Sequence, residues 1–170
     1  RLPLGALLEE AVLEVGPSDK KLHVSCMPYK SGAGPVPEVL RQPELIYGIG
    51  NLIANAADFA AKNVWVNGRY SSEEVVIEIA DDGLGFQPDI LARLGEPYNT
   101  TRARGGDEDD DEGQTGMGLG YFIARTLLLR SGGRIEARNL APDEIVGNSS
   151  PGGAYVAIHW PRARFDATSD

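Results

Sequence analysis

Three short segments of this 170-residue chain carry residue types whose spacing could do chemistry. In Gly116-Met117-Gly118-Leu119-Gly120 three glycines alternate immediately before an apolar helical pattern. Glycine lets backbone N–H groups approach a ligand closely, and a helix N-terminus attracts anions, so a phosphate fits there; an ordinary helix start is the plain alternative. Tyr121 stands where a dinucleotide fingerprint needs its last glycine, and the chain has no Gly-Lys pair, so neither that fingerprint nor a P-loop is present. Asp81-Asp82-Gly83-Leu84-Gly85 follows an alternating apolar run. A carboxylate at a strand end can accept a hydrogen bond from an exocyclic amino group such as that of adenine, with Gly83 and Gly85 leaving room for a flat ring. The same residues also suit an ordinary tight turn. Asn51 and Asn55 lie four apart in a helical pattern and share a face. Asparagine is a poor interior helix residue, and an amide oxygen is a hard neutral ligand suited to a Mg²⁺ ion that phosphates also hold. Two solvated amides are the alternative.

These segments need a scaffold. Leu4, Leu7, Leu8, Val12 and Val15 predict a helix over residues 4–15, stopped by Gly16-Pro17. Lys21 to Met27 reads as a strand with Leu22, Val24 and Cys26 on one face and His23 on the other. A long helix is expected from Pro43 to about Lys62. Val64, Val66, Val75, Ile77 and Ile79 predict two strands joined through Asn67 to Glu74 as a hairpin. Residues 83–117 are rich in Gly, Asp and Thr, apart from a short helix at 88–94. A helix over Leu119 to Arg130 and strands at Arg134 to Asn139 and Ala154 to Trp160 complete the pattern. The mixture predicts an α+β fold, a two-layer α/β sandwich whose mixed, mostly antiparallel sheet is covered on one face by about three helices.

Composition narrows the functional classes. Hydrophobic residues at 42% and charged residues at 24% are ordinary for a globular domain with a core. A formal charge of −9 removes the attraction that dominates nucleic-acid binding. No apolar run is long enough to span a bilayer, and the first residues lack a signal-peptide pattern. Six consecutive acids, Asp107 to Glu112, lie between glycines and are expected to form a solvated, mobile loop. Cys26, the one cysteine, sits on an apolar strand face and is expected to be core rather than a redox switch; a lone cysteine agrees with a cytoplasmic setting.

The order of these motifs resembles the ATP-binding domain of sensor histidine kinases, in the wider group that also holds gyrase B and MutL. The resemblance is carried by the asparagine segment Asn51 to Phe59, the Asp-x-Gly-x-Gly at Asp81, Glu96-Pro97-Tyr98-Asn99-Thr100-Thr101, and Gly-x-Gly-Leu-Gly at Gly116. It extends to Gly152 to Pro161, which is similar to that domain's last strand. It covers roughly residues 4–161, and the details look most like the redox-responsive global-regulator kinases of proteobacteria.

This resemblance implies a Bergerat fold with a long flexible ATP lid at about 95–117, ATP and Mg²⁺ as cofactors, and roles for individual residues. Asn55 would ligate Mg²⁺, with Asn51 near the phosphates. Asp81 would accept from the adenine amino group, Gly83 and Gly85 would shape the pocket, and Phe59 would pack on the base. Thr101, Arg102 and Arg104 belong to the lid. Gly116, Met117, Gly118, Leu119 and Gly120 form its phosphate-facing hinge. Asp58 departs from relatives that carry Lys or Arg there, and its carboxylate cannot neutralise phosphate. Relatives that hydrolyse ATP carry a glutamate where this chain has Asn51, and an amide has no comparable basicity. Phosphoryl transfer to an incoming nucleophile is thus expected in place of fast hydrolysis.

His23 and His159 both fall on expected strands, outside the helical setting of a phosphoacceptor. The expectation is therefore a protein-histidine kinase catalytic domain, inactive by itself, serving an acceptor histidine on dimerisation helices and through it a response regulator. Residues 1–15 would connect to that dimerisation domain, 16–161 would be the catalytic domain and 162–170 a tail. The fragment is expected in the cytoplasm, its parent kinase being open to membrane anchorage. A stand-alone anti-sigma-type serine kinase and a catalytically silent nucleotide-binding scaffold are the alternatives.

Overall fold

The computed structural model describes residues 1–28, 31–94 and 120–167. In chain order they form β1 (Leu2–Pro3), α1 (Leu4–Val15), β2 (Lys21–Pro28), β3 (Glu38–Val39), α2 (Pro43–Phe59), β4 (Asn63–Tyr70), β5 (Glu74–Asp81), α3 (Pro88–Leu94), α4 (Tyr121–Arg130), β6 (Arg134–Asn139), β7 (Ala154–Pro161) and α5 (Arg162–Ala167). Five strands make one sheet in the order β2-β4-β5-β7-β6. β2 runs parallel to β4 and every other pairing is antiparallel, as expected for a mixed, mostly antiparallel sheet. β1 and β3 pair separately, an element without a sequence signal.

Alternation in the strands sorts the two faces. Val64 and Val66 in β4, Val75, Ile77 and Ile79 in β5, and Val156, Ile158 and Trp160 in β7 join Leu4, Leu7 and Leu8 of α1, Ile49, Leu52 and Ile53 of α2, and Leu128 of α4 in one core. Leu22, Val24 and Cys26 pack against it, so Cys26 is a core-facing residue and burial pushes its thiol pKa up. The helices pack closely because α2 carries Gly48 and Gly50. A Cβ at Gly48 would lie 3.2 Å from Leu128 of α4, and one at Gly50 would lie 3.3 Å from the Ala11 carbonyl of α1.

Two boundaries differ from expectation. Helix α2 stops at Phe59, not near Lys62, because its last carbonyls and the following N–H groups are taken by side chains from elsewhere. Lys20 Nζ donates to the carbonyls of Ala57 (2.8 Å) and Ala60 (2.7 Å), and Asp82 accepts from the N–H groups of Ala61, Lys62 and Asn63. The hairpin is also tighter than the expected Asn67–Glu74 connection, since β4 continues to Tyr70. Asn67 and Arg69 keep the alternation, facing the helix-free side of the sheet, and the core-facing series Val64, Val66 and Tyr70 is interrupted at Gly68, which leaves room for Leu4 and Leu8; a Cβ there would approach them to 3.0 and 3.1 Å.

Residues expected as a C-terminal tail begin with α5. Phe165 is 1% exposed and packs edge-on against Trp160 at 5.2 Å. Arg162 donates to the carbonyls of Ser71 (2.9 Å) and Pro35 (2.8 Å), tying α5 to the β4–β5 turn and the β3 approach. Phe165→Ala is expected to cost about 3–5 kcal/mol, the range for a fully buried aromatic, and to lower the melting midpoint by roughly 10 °C. A shift within about 2 °C in a thermal melt would mean that α5 adds nothing to the core.

Candidate functional site

The C-terminal half of α2, the end of β5, the loop after it and the start of α4 enclose a cavity of about 220 Å³. Asn55, Phe59, Asp81 and Gly85, all singled out in the sequence, line it together with Leu52, Ile79, Phe86, Tyr121 and Val156. The walls are apolar, with few polar groups converging, as in sites for flat organic ligands.

Asp81 is the one carboxylate among the described residues of the cavity's lining and is 2% exposed. Its Oδ1 accepts from the N–H groups of Gly83 (2.8 Å) and Ala154 (3.2 Å), so Oδ2 is left without a hydrogen bond among the described residues. Burial pushes its carboxyl pKa above the usual range, and those two N–H groups only partly offset the effect. Such a group is stabilised by a donor arriving from the cavity.

Asp82 points the other way and does structural work. Besides the three backbone donors it accepts from Asn63 Nδ2 at 3.0 Å. Burial is the largest single influence and opposes its ionisation, but the hydrogen bonds from Lys62, Asn63 and Ala61 together outweigh it and hold its carboxyl below the usual range. Strand alternation alone assigns the paired acids to opposite sides, and that was the available signal for Asp82.

The glycines are spaces that the neighbouring backbone fills. A Cβ at Gly83 would fall on the Phe59 carbonyl oxygen, and one at Gly153 would fall on Asp81. Gly85 has φ +85°, a conformation costly for other residues, and a Cβ there would lie 2.8 Å from Asn139 Oδ1. Asn139, absent from the sequence-based candidates, clamps this loop to β6.

On α2, Asn51 and Asn55 both have buried Nδ2 atoms without a hydrogen-bond partner among the described residues. Unpartnered buried amides suit a site completed by something else. Asn55 reaches the cavity whereas Asn51, one turn earlier, does not line it. Gly120, immediately before α4, faces Asn55, its Cβ position lying 3.6 Å from Oδ1. Phe59 is half-exposed at the rim and available to stack on a ligand, while Asp58 is exposed. One amide oxygen fits a hard divalent ion that takes its remaining ligands from phosphate and water. Among the described residues no three carboxylate, imidazole or thiol groups cluster for a metal. Thr101, Arg102, Arg104, Gly116, Met117, Gly118 and Leu119, the acid run 107–112 and the Glu96 to Thr101 segment lie outside the described residues.

Neither histidine lies at the cavity. His23 stacks on Trp65 at 5.3 Å and bonds Asn63, and His159 contacts Glu136 at 2.9 Å across the sheet.

The chain is similar to known proteins over most of its length. The profile of the histidine kinase-, DNA gyrase B-, and HSP90-like ATPase family matches residues 41–164. The sensor histidine kinase RegB of Cereibacter sphaeroides is 38% identical over 161 residues, which is 94% of this chain and 35% of that protein. The C4-dicarboxylate transport sensor protein DctB of Pseudomonas aeruginosa is 34% identical over 116 residues, 65% of this chain and 16% of DctB. The chain thus spans about a third or less of the length of these relatives. Among solved structures, the mycobacterial sensor histidine kinase MprB superposes with a TM-score of 0.58 at 18% identity, covering 94% of this chain and 95% of that one. The catalytic domain of histidine kinase ThkA superposes with 0.56 at 13% identity, covering 95% and 94%.

The two acids predict opposite behaviour. Asp82, with its lowered pKa, contributes stability that is present above the unfolded-state value near 4 and lost as pH falls through the folded value. Asp82→Ala should cost about 1–2 kcal/mol at pH 7, allowing for partial exposure, and the gap from wild type should close in strongly acidic melts. Asp81 has a raised pKa, so its ionised form costs stability at neutral pH and the cost is relieved as pH falls. Asp81→Asn keeps an oxygen for Gly83 and Ala154, and should melt at or above the wild-type midpoint at pH 7. A lower midpoint for Asp81→Asn would show that the carboxylate is structural.

Proposed function

The chain belongs to the histidine kinase-, DNA gyrase B-, and HSP90-like ATPase family, and we propose that it is the Mg-ATP-binding catalytic domain of a two-component sensor histidine kinase. Its γ-phosphoryl group would pass to a histidine on a dimerisation domain outside this chain, and from there to a response regulator. The observation that carries this reading is the buried Asp81 carboxylate, one oxygen of which has no hydrogen bond among the described residues, in the lining of an apolar cavity that Asn55 also lines. The sensor-kinase relatives favour it over a stand-alone serine kinase or a silent scaffold.

In this reading Asp81 Oδ2 accepts from the adenine amino group and Phe59 covers the ring. Asn55 Oδ1 holds the metal, and Asn51 hydrogen-bonds at the phosphate end. When bound, Mg²⁺ supplies charge neutralisation along the phosphates. Thr101, Arg102 and the Gly116–Gly120 segment supply further phosphate contacts. Asn51 cannot take a proton from water, so hydrolysis is slow and transfer depends on the acceptor being brought in line. No described helix is long and apolar enough to cross a membrane. In this reading, which rests on the sensor-kinase relatives, the domain works on the cytoplasmic side of its parent kinase.

The test is to incubate the chain with a helical fragment bearing an acceptor histidine and γ-labelled ATP. Acid-labile label is expected on the fragment, with none on the chain alone. Label on serine, or on His23 or His159 of this chain, would overturn the proposal. Asn55→Ala should melt within about 2 °C of wild type while losing roughly tenfold in ADP affinity with Mg²⁺ present, a difference of about 1.4 kcal/mol. An equal loss in excess chelator would remove Asn55 as the ligand.

A further inference from the structure

One wall of the cavity is a loop, Gly83 to Gln87, that belongs to no strand or helix and contributes Leu84, Gly85, Phe86 and Gln87 to the lining. Leu84 is 98% exposed, so the loop is not held by burying that side chain. Phe86 packs partly buried against the core and the Gly83 N–H donates to Asp81, and the main chain between them is held from across the sheet. Asn139 Oδ1 accepts from the Phe86 N–H at 2.7 Å, and Asn139 Nδ2 donates to the Phe86 carbonyl at 3.0 Å. The amide thereby satisfies both main-chain groups of one residue, in place of the neighbouring strand that the loop lacks. Gly85 is part of the same fit, because its positive φ and bare Cα let the backbone lie directly on Asn139.

Asn139 also has a particular partner in the sheet. It is the last residue of β6 and pairs with Ala154, the first residue of β7. The Ala154 N–H is one of the two donors to Asp81 Oδ1, and Ala154 itself lines the cavity. One rung at the sheet edge therefore fixes two walls of the site at once: its β7 member orients the buried carboxylate, and its β6 member orients the loop facing it.

We propose that Asn139 is a positioning residue for the base-binding end of the site, setting affinity for the nucleoside moiety by holding the 83–87 loop at the right distance from Asp81. This rests on the nucleotide reading above. Asn139 touches the loop and not the ligand, so its effect is on preorganisation: a loop that must be ordered on binding lowers affinity without removing a ligand contact.

The experiment measures affinity for adenosine and for Mg-ADP by calorimetry in wild type, Asn139→Ala and Asn139→Asp, with a thermal melt of each. Asn139→Ala is expected to weaken adenosine and Mg-ADP by the same factor, about tenfold, with the chain fully folded at the binding temperature. Asn139→Asp keeps the acceptor for the Phe86 N–H but loses the donor, and should fall between the other two with adenosine. Amide exchange at Phe86 should accelerate in Asn139→Ala before any ligand is added. Binding by Asn139→Ala equal to wild type would overturn the assignment of Asn139 and leave the nucleotide reading intact. So would a loss confined to Mg-ADP. Failure of the wild-type chain to bind either ligand would overturn the nucleotide reading itself, and this proposal with it.

Discussion

A carboxylate 2% exposed at the end of a central strand is the constraint around which this domain is arranged. An ionised group removed from water costs several kcal/mol unless neighbouring dipoles replace its hydration. Here two backbone N–H groups do so, from Gly83 just beyond β5 and from Ala154 at the start of β7. Both donors can come close only because the backbone carries no side chain where it crowds the acid, at Gly153 and at Gly83. The compensation is incomplete, as the raised pKa of Asp81 shows. That incompleteness is useful, since a fully satisfied carboxylate would have nothing left to offer a ligand.

The helix-free face of the sheet solves a related problem differently. Ser25 donates to Asn67, Asn67 donates to Glu78, and the Tyr155 hydroxyl donates to Glu78 at 2.6 Å, a chain of side chains running across β2, β4, β5 and β7. Arg138 of β6 lies 4.5 Å from the centre of the Tyr155 ring and pairs with Glu144 of the following loop. Burial and the Glu78 contact push the Tyr155 hydroxyl well above its usual pKa, so it remains a donor. The network leaves Glu78 fully served, in contrast with Asp81. Two buried carboxylates on one strand thus differ in role because they face opposite sides of the sheet.

Much of this could be read from residue order. The alternating apolar strands, the helix starting at Pro43 and the asparagines one turn apart lie where patterning places them, because each depends on local periodicity. What patterning did not reveal depends on contacts between residues distant in sequence. The end of α2 is set by Lys20 and Asp82, which are far from it along the chain, and β4 extends through Asn67 and Arg69 because their partners lie on β2 and β5. Asn139 carries no chemical signature of its own; only its distance to Phe86, 53 residues away, makes it part of the site. The structured start of the C-terminal segment was illegible for the same reason, since Phe165 is meaningful only beside Trp160.

Helix α2 turns these separate contacts into one instrument. Asn51, Asn55 and Phe59 fall at successive intervals of four residues, so they span about 12 Å along the axis while rotating only gradually around it. An elongated ligand with a flat ring at one end and anionic groups at the other matches that line, provided the helix cannot slide. Gly48 and Gly50 press α2 against α4 and α1, and Lys20 and Asp82 close its C-terminal end. At that end the Phe59 carbonyl packs on Gly83, next to the carboxylate that reads the ring. The distance between the ring-reading and metal-holding ends is therefore set by covalent helix geometry. The Gly83–Gln87 loop belongs to no helix or strand, and its place depends on long-range contacts instead: Gly83 on Asp81, Phe86 against the core and the Asn139 amide on the Phe86 main chain.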